Sequence, residues 1–323
     1  MSAEYASAAA YTATGEGTDP GAWVGREFVI QAPFPVELGR VADYCAMLDD
    51  PNPLYWDHAA AIAKFGQPVA PPATLTVWRW PAPWNPSGRP EHGPPVSVEV
   101  PLPVDTLINV ELSCSFERPV LVGDHLTFND RISAISPEKQ TALGRGWFIT
   151  IDTTVSNQRA QRISTYQATM FRFRSGTALT APAAAAAAPS QVAAACDDAG
   201  VPALSIKITP TLCALMTSAT RDYFPGHHDR DYARSQGVSD AYLNTAYYCG
   251  LMDRVALGWS GNRATLVKRV LRMMKPAAIG DVIRTSGTVR RIEVSGAPMN
   301  EVTVSIRSDA GLVAQAVVTL TPH

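Results

Sequence analysis

The chain repeats itself. Two segments, ERPVLVGDHLTFNDRISAI from Glu117 and MKPAAIGDVIRTSGTVRRI from Met274, both carry Pro-x-x-x-Gly-Asp (Pro119, Gly123, Asp124; Pro276, Gly280, Asp281) ahead of strand-like alternation. Gly-Asp supplies a tight turn between strands, because Gly tolerates positive φ and Asp bonds its own backbone. Upstream of each lies a second matched pair, DDPNPLYWDHAAAIAKFG (49–66) and TRDYFPGHHDRDYARSQG (220–237). Aligning Asp50 with Asp222 places Asp57 on Asp229 and Gly66 beside Gly237. The paired features keep the same order, so the chain is an internal duplication.

Each half has one plan. In the second, TPTLCALMTSATRDY and DRDYARSQG predict short helices. TAYYCGLMDRVALGW (245–259) predicts a longer buried helix, with Tyr248, Leu251, Met252, Val255 and Trp259 at helical spacing. Four strands are expected after it, at 263–274, 281–293, 300–308 and 312–321. Helices followed by an antiparallel meander define an α+β class, not a parallel α/β sheet.

Between the halves, residues 175–204 are dominated by Ala, Pro and Ser with no aromatic residue. This reads as a linker. The expected layout is a disordered extension at 1–24, a first unit at 25–175, a linker at 176–204 and a second unit at 205–323. The alanine run at 181–195, broken by Pro189, Ser190 and Gln191, is too weakly apolar for a membrane span. The N-terminus lacks the charged and apolar regions of a secretory signal. A net charge of -2 leaves no electrostatic footprint for nucleic acid. The five cysteines, at 45, 114, 196, 213 and 249, are scattered without a C-x-x-C pair. They are expected to be buried thiols in a reducing cytoplasm, not a disulfide framework or a zinc site.

The chemistry concentrates in RDYFPGHHD, which holds two of the six histidines. Pro225 pushes Phe224 out of the helical region and makes the stretch a loop, so Asp222 and His227 can converge despite a spacing of five. His-His-Asp in direct succession lacks ligand spacing for one tetrahedral metal. Asp229 is placed to cap the following helix, and His228 to point away from His227.

A sheet wrapped around one long helix, twice in one chain, is the plan of a double hotdog. The loop resembles the signature of the MaoC-like dehydratases, or (R)-specific enoyl-CoA hydratases: D-x-N-P-x-H, then D, then A-x-x-x-G. Asp222, Pro225, His227, Asp229, Ala233 and Gly237 match it, and Phe224 replaces the Asn. The first half keeps Asp50, Asn52 and Pro53 but has Tyr55 where the second has His227, and it resembles the degenerate FAS1-like dehydratase hotdog of two-part members. RDYFPGHHD with SDAYLNT also resembles hydratases of steroid side-chain CoA esters.

The resemblance implies a double hotdog with two antiparallel sheets, each around a central helix, joined as one continuous pseudo-dimer. It implies reversible hydration of a trans-2-enoyl-CoA or carrier-protein thioester without metal or organic cofactor. Asp222 is then the base toward water, and His227 holds that water and relays its proton. The thioester carbonyl falls to backbone N–H groups at Asn244 or Thr245. Lys268, Arg269, Arg272 and Lys275 in KRVLRMMK are either CoA-phosphate anchors or solvated strand charges.

The first half differs in its helix. PPATLTVWRW supports about two turns before Pro81, Pro83 and Pro86. Asp50 and Gly123 are 73 residues apart, against 58 from Asp222 to Gly280, and the surplus falls in a proline-rich loop. In the family such shortening makes room for bulky acyl groups; a loop packed over itself is the competing explanation. Two other activities stay open: a thioesterase using Asp253 of the central helix, and a non-catalytic acyl-thioester-binding partner subunit. Large exposed sheet faces lead us to expect a homodimer.

Overall fold

The computed structural model describes residues 19–82, 86, 96–174 and 200–322. Residues 1–18, 175–199 and most of the proline-rich loop (83–85 and 87–95) lie outside that range, and with them most of the expected extension and linker. At the described end of the extension, Pro20–Trp23 form one 3₁₀ turn capped by Asp19.

The first half runs β1 (Glu27–Gln31), α1 (Leu38–Leu48), α2 (Pro53–Trp56), α3 (His58–Phe65), β2 (Val69–Ala70) and β3 (Thr106–Phe116). It continues with β4 (Val120–Leu121), β5 (Thr127–Ile135), β6 (Lys139–Gln140), β7 (Arg145–Ser156) and β8 (Arg162–Arg174). The second half runs β9 (Ser205–Lys207), α4 (Pro210–Thr220), α5 (Arg230–Ser235), α6 (Thr245–Trp259) and β10 (Leu266–Met273). β11 (Val282–Val294), β12 (Ala297–Ser308) and β13 (Gly311–Leu320) follow.

One antiparallel sheet contains both halves, in the order β1-β5-β7-β8-β3-β10-β13-β12-β11-β9. Read outward from the centre, β3-β8-β7-β5-β1 mirrors β10-β13-β12-β11-β9. The halves join where β3 pairs with β10, Ser113 opposite Val270. The molecule is a double hotdog with an approximate two-fold axis at that pair. Both halves contribute to one large hydrophobic cluster, and a smaller one lies within the first half.

The duplicated motifs occupy equivalent places. Gly123 and Gly280 adopt φ of 92° and 101°, left-handed values open to Gly and strained for other residues. Asp124 and Asp281 then accept from the backbone N–H three residues back, at Leu121 (3.1 Å) and Ala278 (2.9 Å). α1 and α4 each end in a left-handed residue, Asp49 or Arg221, directly before the motif aspartate.

α6 is buried on nearly every side, from Ala246 to Leu257 with only Arg254 partly open, as expected of a helix apolar around its whole circumference. It packs on β10, β12 and β13 and reaches α1 of the other half. Its counterpart is shorter than the two turns the sequence led us to expect. Only Pro72–Thr74 form a 3₁₀ helix, followed by turns up to Arg79. Arg79 is drawn instead into a buried ion pair with Asp130 (2.5 Å), shared with Tyr166 and Thr153.

Candidate active site

The loop after α4 brings Asp222 and His227 together. Thr220, fully buried, bonds the Met216 carbonyl (2.6 Å), and its hydroxyl receives the Asp222 N–H at 3.4 Å. Asp222 turns back to accept from Phe224 N–H at 3.4 Å. Pro225–His227 form a 3₁₀ turn that sets the imidazole facing the carboxylate, with Nε2 3.5 Å from Asp222 Oδ2.

The tautomer follows from the other ring nitrogen. His227 Nδ1 lies 2.9 Å from the Tyr242 carbonyl, and a carbonyl only accepts, so Nδ1 carries the proton. The Nε2 lone pair and the Asp222 carboxylate therefore point at one place, where a hydroxyl-bearing molecule with two protons can satisfy both. Phe224 and Tyr242 bracket the imidazole edge-on, at 5.5 Å and 5.2 Å between ring centroids. His228 points elsewhere, bonded to the Tyr223 carbonyl (3.1 Å). Asp229 caps α5 by accepting from Asp231 and Tyr232 N–H groups.

Asn244 and Thr245 have different fates. Asn244 caps α6 by accepting from Tyr247 N–H (2.9 Å) and clamps the motif loop by donating to Thr220 Oγ1 (2.9 Å). Its own N–H faces the Met216 sulfur at 3.2 Å. Thr245 is the first residue of the helix, where no intrahelical carbonyl exists for its N–H, and that N–H has no partner among the described residues. The helix dipole adds positive potential there. Of the two candidates, Thr245 is the one with a donor to offer.

The basic cluster is corrected by the structure. Strand pleating sends alternate side chains to opposite faces. Arg269 points inward, 1% exposed, and forms an ion pair with Asp253 of α6. Lys268 and Arg272, out of phase with it, lie on the outer face away from the helix, and Arg272 pairs with Glu111 (2.6 Å). Arg269 is therefore no phosphate anchor, and β10 does not bring the three cations to the site. Asp253 is likewise committed to the core, where burial pushes its carboxyl up to about 6 against the pull of Arg269. The carboxylate that the thioesterase alternative required is thus spoken for.

The first half differs from the second at the corresponding positions. Asp50 accepts from Asn52 N–H (3.0 Å), and burial raises its carboxyl above the usual range. Tyr55, buried, stands in place of His227. A second difference was missed in the sequence. β2 pairs Val69 with Leu121, and an isolated bridge pairs Tyr242 with Ala278. Leu121 and Ala278 each precede the turn aspartate by three, so Pro71 and Pro72 occupy the places of Asn244 and Thr245. Proline has no N–H. The signal was present as PP against NT, legible once the two Gly-Asp turns are used as the alignment anchor. A cavity of about 120 Å³ remains there, lined among others by Asn52, Tyr55, Phe65, Pro72, Leu257 and Leu266.

These features define a class: a double hotdog with one half carrying a facing carboxylate and imidazole beside a free helix N-terminus. Residues 22–166 match the model of the FAS1-like, dehydratase domain region. The chain is 32% identical over 162 residues to a probable enoyl-CoA hydratase alpha subunit of Thermomonospora curvata, covering 47% of this chain and 50% of that protein. It is 34% identical over 92 residues to the 3-oxo-4,17-pregnadiene-20-carboxyl-CoA hydratase beta subunit of Mycobacterium tuberculosis, covering 28% of this chain and 71% of that one. A solved MaoC-like dehydratase superposes with a TM-score of 0.72 at 19% identity, over 94% of this chain and 100% of the other, which bears on the fold alone. The chain belongs to the MaoC-like hotdog dehydratase family. The match to the first of these relatives spans only half of that protein's length.

Proposed function

We propose that the chain adds water reversibly across the double bond of a trans-2-enoyl-CoA, giving a 3-hydroxyacyl-CoA, with one site per chain. The observation that carries this reading is the pair of acceptors, Asp222 Oδ2 and His227 Nε2, 3.5 Å apart and fixed by the Tyr242 carbonyl. One water donating to both is held for attack. Asp222 takes its proton as the oxygen bonds to C3, and that proton returns to C2, so a single water supplies both the hydroxyl and the hydrogen. Negative charge that develops on the thioester oxygen meets the Thr245 N–H at the start of α6.

A bulky acyl group fits best. The first-half helix is reduced to Pro72–Thr74, against fifteen residues in α6, so a central helix occupies less of that side of the pseudo-dimer. Similarity to a subunit of a steroid-acyl-CoA hydratase supports the same preference. No helix among the described residues is long and apolar enough to cross a membrane. We also read the chain as a homodimer; relatives named as alpha and beta subunits support association with another chain, and sedimentation of the purified chain as a monomer would refute the reading.

The test is a panel of trans-2-enoyl-CoAs, short to steroidal, followed by loss of the enoyl-thioester absorbance. Asp222→Asn and His227→Ala should each lower the rate by about 10²–10⁴-fold. Unchanged rates in both variants, or release of free CoA in place of hydration, would remove the assignment.

A further inference from the structure

The first half does not carry the Asp/His pair, having Tyr55 in place of the histidine. One of its side chains, however, reaches the chemistry of the second. Asn109, on β3, donates from Nδ2 to Thr245 Oγ1 at 2.9 Å. That leaves the Thr245 hydroxyl proton for the Met273 sulfur, at 3.5 Å. The first residue of α6 is thereby held from both sides, by a strand of each half.

The backbone around Asn109 is shaped for this. β3 pairs with β8 in register except for a bulge between Asn109 and Glu111. β10 has the same irregularity against β13, between Leu266 and Lys268. Bulges re-aim side chains, and these two occupy equivalent places under the two-fold. Asn109 therefore corresponds to Leu266. Leu266, from the second half, lines the first half's cavity with Tyr55 and Pro72, the counterparts of His227 and Thr245. By the same symmetry Asn109 stands in the wall of the candidate site. Where the opposing helix starts in proline the wall residue is Leu, which has nothing to bond; where it starts in threonine the residue is Asn. A neighbouring bond, Thr106 Oγ1 to Gln236 Oε1 at 2.8 Å, ties the same strand to the segment after α5.

We propose that Asn109 is a positioning residue of the second half's site: by fixing Thr245 it sets where the first N–H of α6 meets the thioester carbonyl. The active site is then shared between the halves. This rests on the hydratase reading above, in which that N–H receives the carbonyl.

Four variants test it in the full chain: Asn109→Leu, Asn109→Gln, Thr245→Val and the double Asn109→Leu/Thr245→Val. The Thr245 substitution keeps the N–H and removes only the hydroxyl. Asn109→Leu should lower kcat about tenfold with KM little changed, less than the roughly 10²–10³ of deleting an oxyanion donor outright. Thr245→Val should match it, the double variant should be no slower than either single one, and Asn109→Gln should recover part of the loss. A second readout is the isotope-edited infrared carbonyl stretch of bound enoyl-CoA in the inactive Asp222→Asn background. Its hydrogen-bond downshift should shrink when Asn109→Leu is added, which general loosening of the fold does not produce. An active wild type whose Asn109→Leu variant keeps both kcat and carbonyl shift overturns the inference and leaves the hydratase reading standing. Effects of the two substitutions that multiply also overturn it. A wild type that hydrates no member of the panel overturns both.

Discussion

Gly226, between Pro225 and His227, is where the site is least able to accept one added methyl group. A Cβ built there would lie 2.6 Å and 2.8 Å from Cζ and Cε1 of Tyr242. Carbon atoms prefer about 3.5–4.0 Å, so something must yield by about 1 Å. The groups that can yield are all coupled to the imidazole. Gly226 accepts from Tyr242 N–H at 3.0 Å, the Tyr242 carbonyl holds His227 Nδ1 at 2.9 Å, and the Tyr242 ring packs edge-on against His227. Gly226→Ala should therefore cost about 1–3 kcal/mol of stability through overpacking. A misplacement of about 1 Å at His227 should also lower kcat/KM about 10²-fold. The assay pairs enoyl-CoA hydration kinetics with urea unfolding. The first half supplies the compensating substitution: its equivalent positions are Leu54 and Val69, both lining the cavity there. Gly226→Ala/Tyr242→Val should recover stability and part of the rate, because the valine keeps the backbone carbonyl that orients His227. A Gly226→Ala variant with wild-type rate and stability would refute the coupling of ring, carbonyl and imidazole.

Three other outcomes are expected. Gly250→Ala in α6 should destabilise by about 1–3 kcal/mol in urea, against the roughly 1 kcal/mol gain usual for this exchange in a helix, because the new Cβ meets Leu48 Cδ1 and comes within 2.7 Å of the Tyr44 hydroxyl. Tyr44 already bonds the Ala246 carbonyl (2.7 Å), so a gain in stability would show that α1 yields freely. Tyr55→His in an Asp222→Asn background should restore no hydration, since Pro71 and Pro72 still leave the first half without the N–H donors; measurable turnover would contradict that role for the helix N-terminus. Cys45, Cys114, Cys213 and Cys249 are buried, and burial raises the thiols, Cys213 to about 11 and Cys249 to about 12. A raised thiol pKa means less thiolate at pH 8, so an aromatic disulfide reagent should titrate these four only after denaturation, and rapid labelling of any of them in the native chain would contradict the packing.

The duplication, the α+β class, the turn glycines at 123 and 280 and the long helix at 245–259 were all legible in the sequence. Each rests on local chemistry: a 3.6 or 2.0 periodicity, a residue that tolerates positive φ, a proline that ends a helix. The Asp222/His227 pair was legible for the same reason, because Pro225 keeps the two in one short loop, and the tyrosine in the other copy marked the difference. What depends on the strand pleat and on pairing across the two-fold was not legible. Nothing in KRVLRMMK tells which of its cations faces the core; the register of β10 sends Arg269 inward to Asp253 and Lys268 outward. Nor does spacing reveal that Asn109 meets Thr245, 136 residues away, since only the pairing of β3 with β10 at the centre of the sheet brings them together. Local sequence determined the elements and the facing Asp222/His227 pair; long-range strand register decided which other side chains reach it.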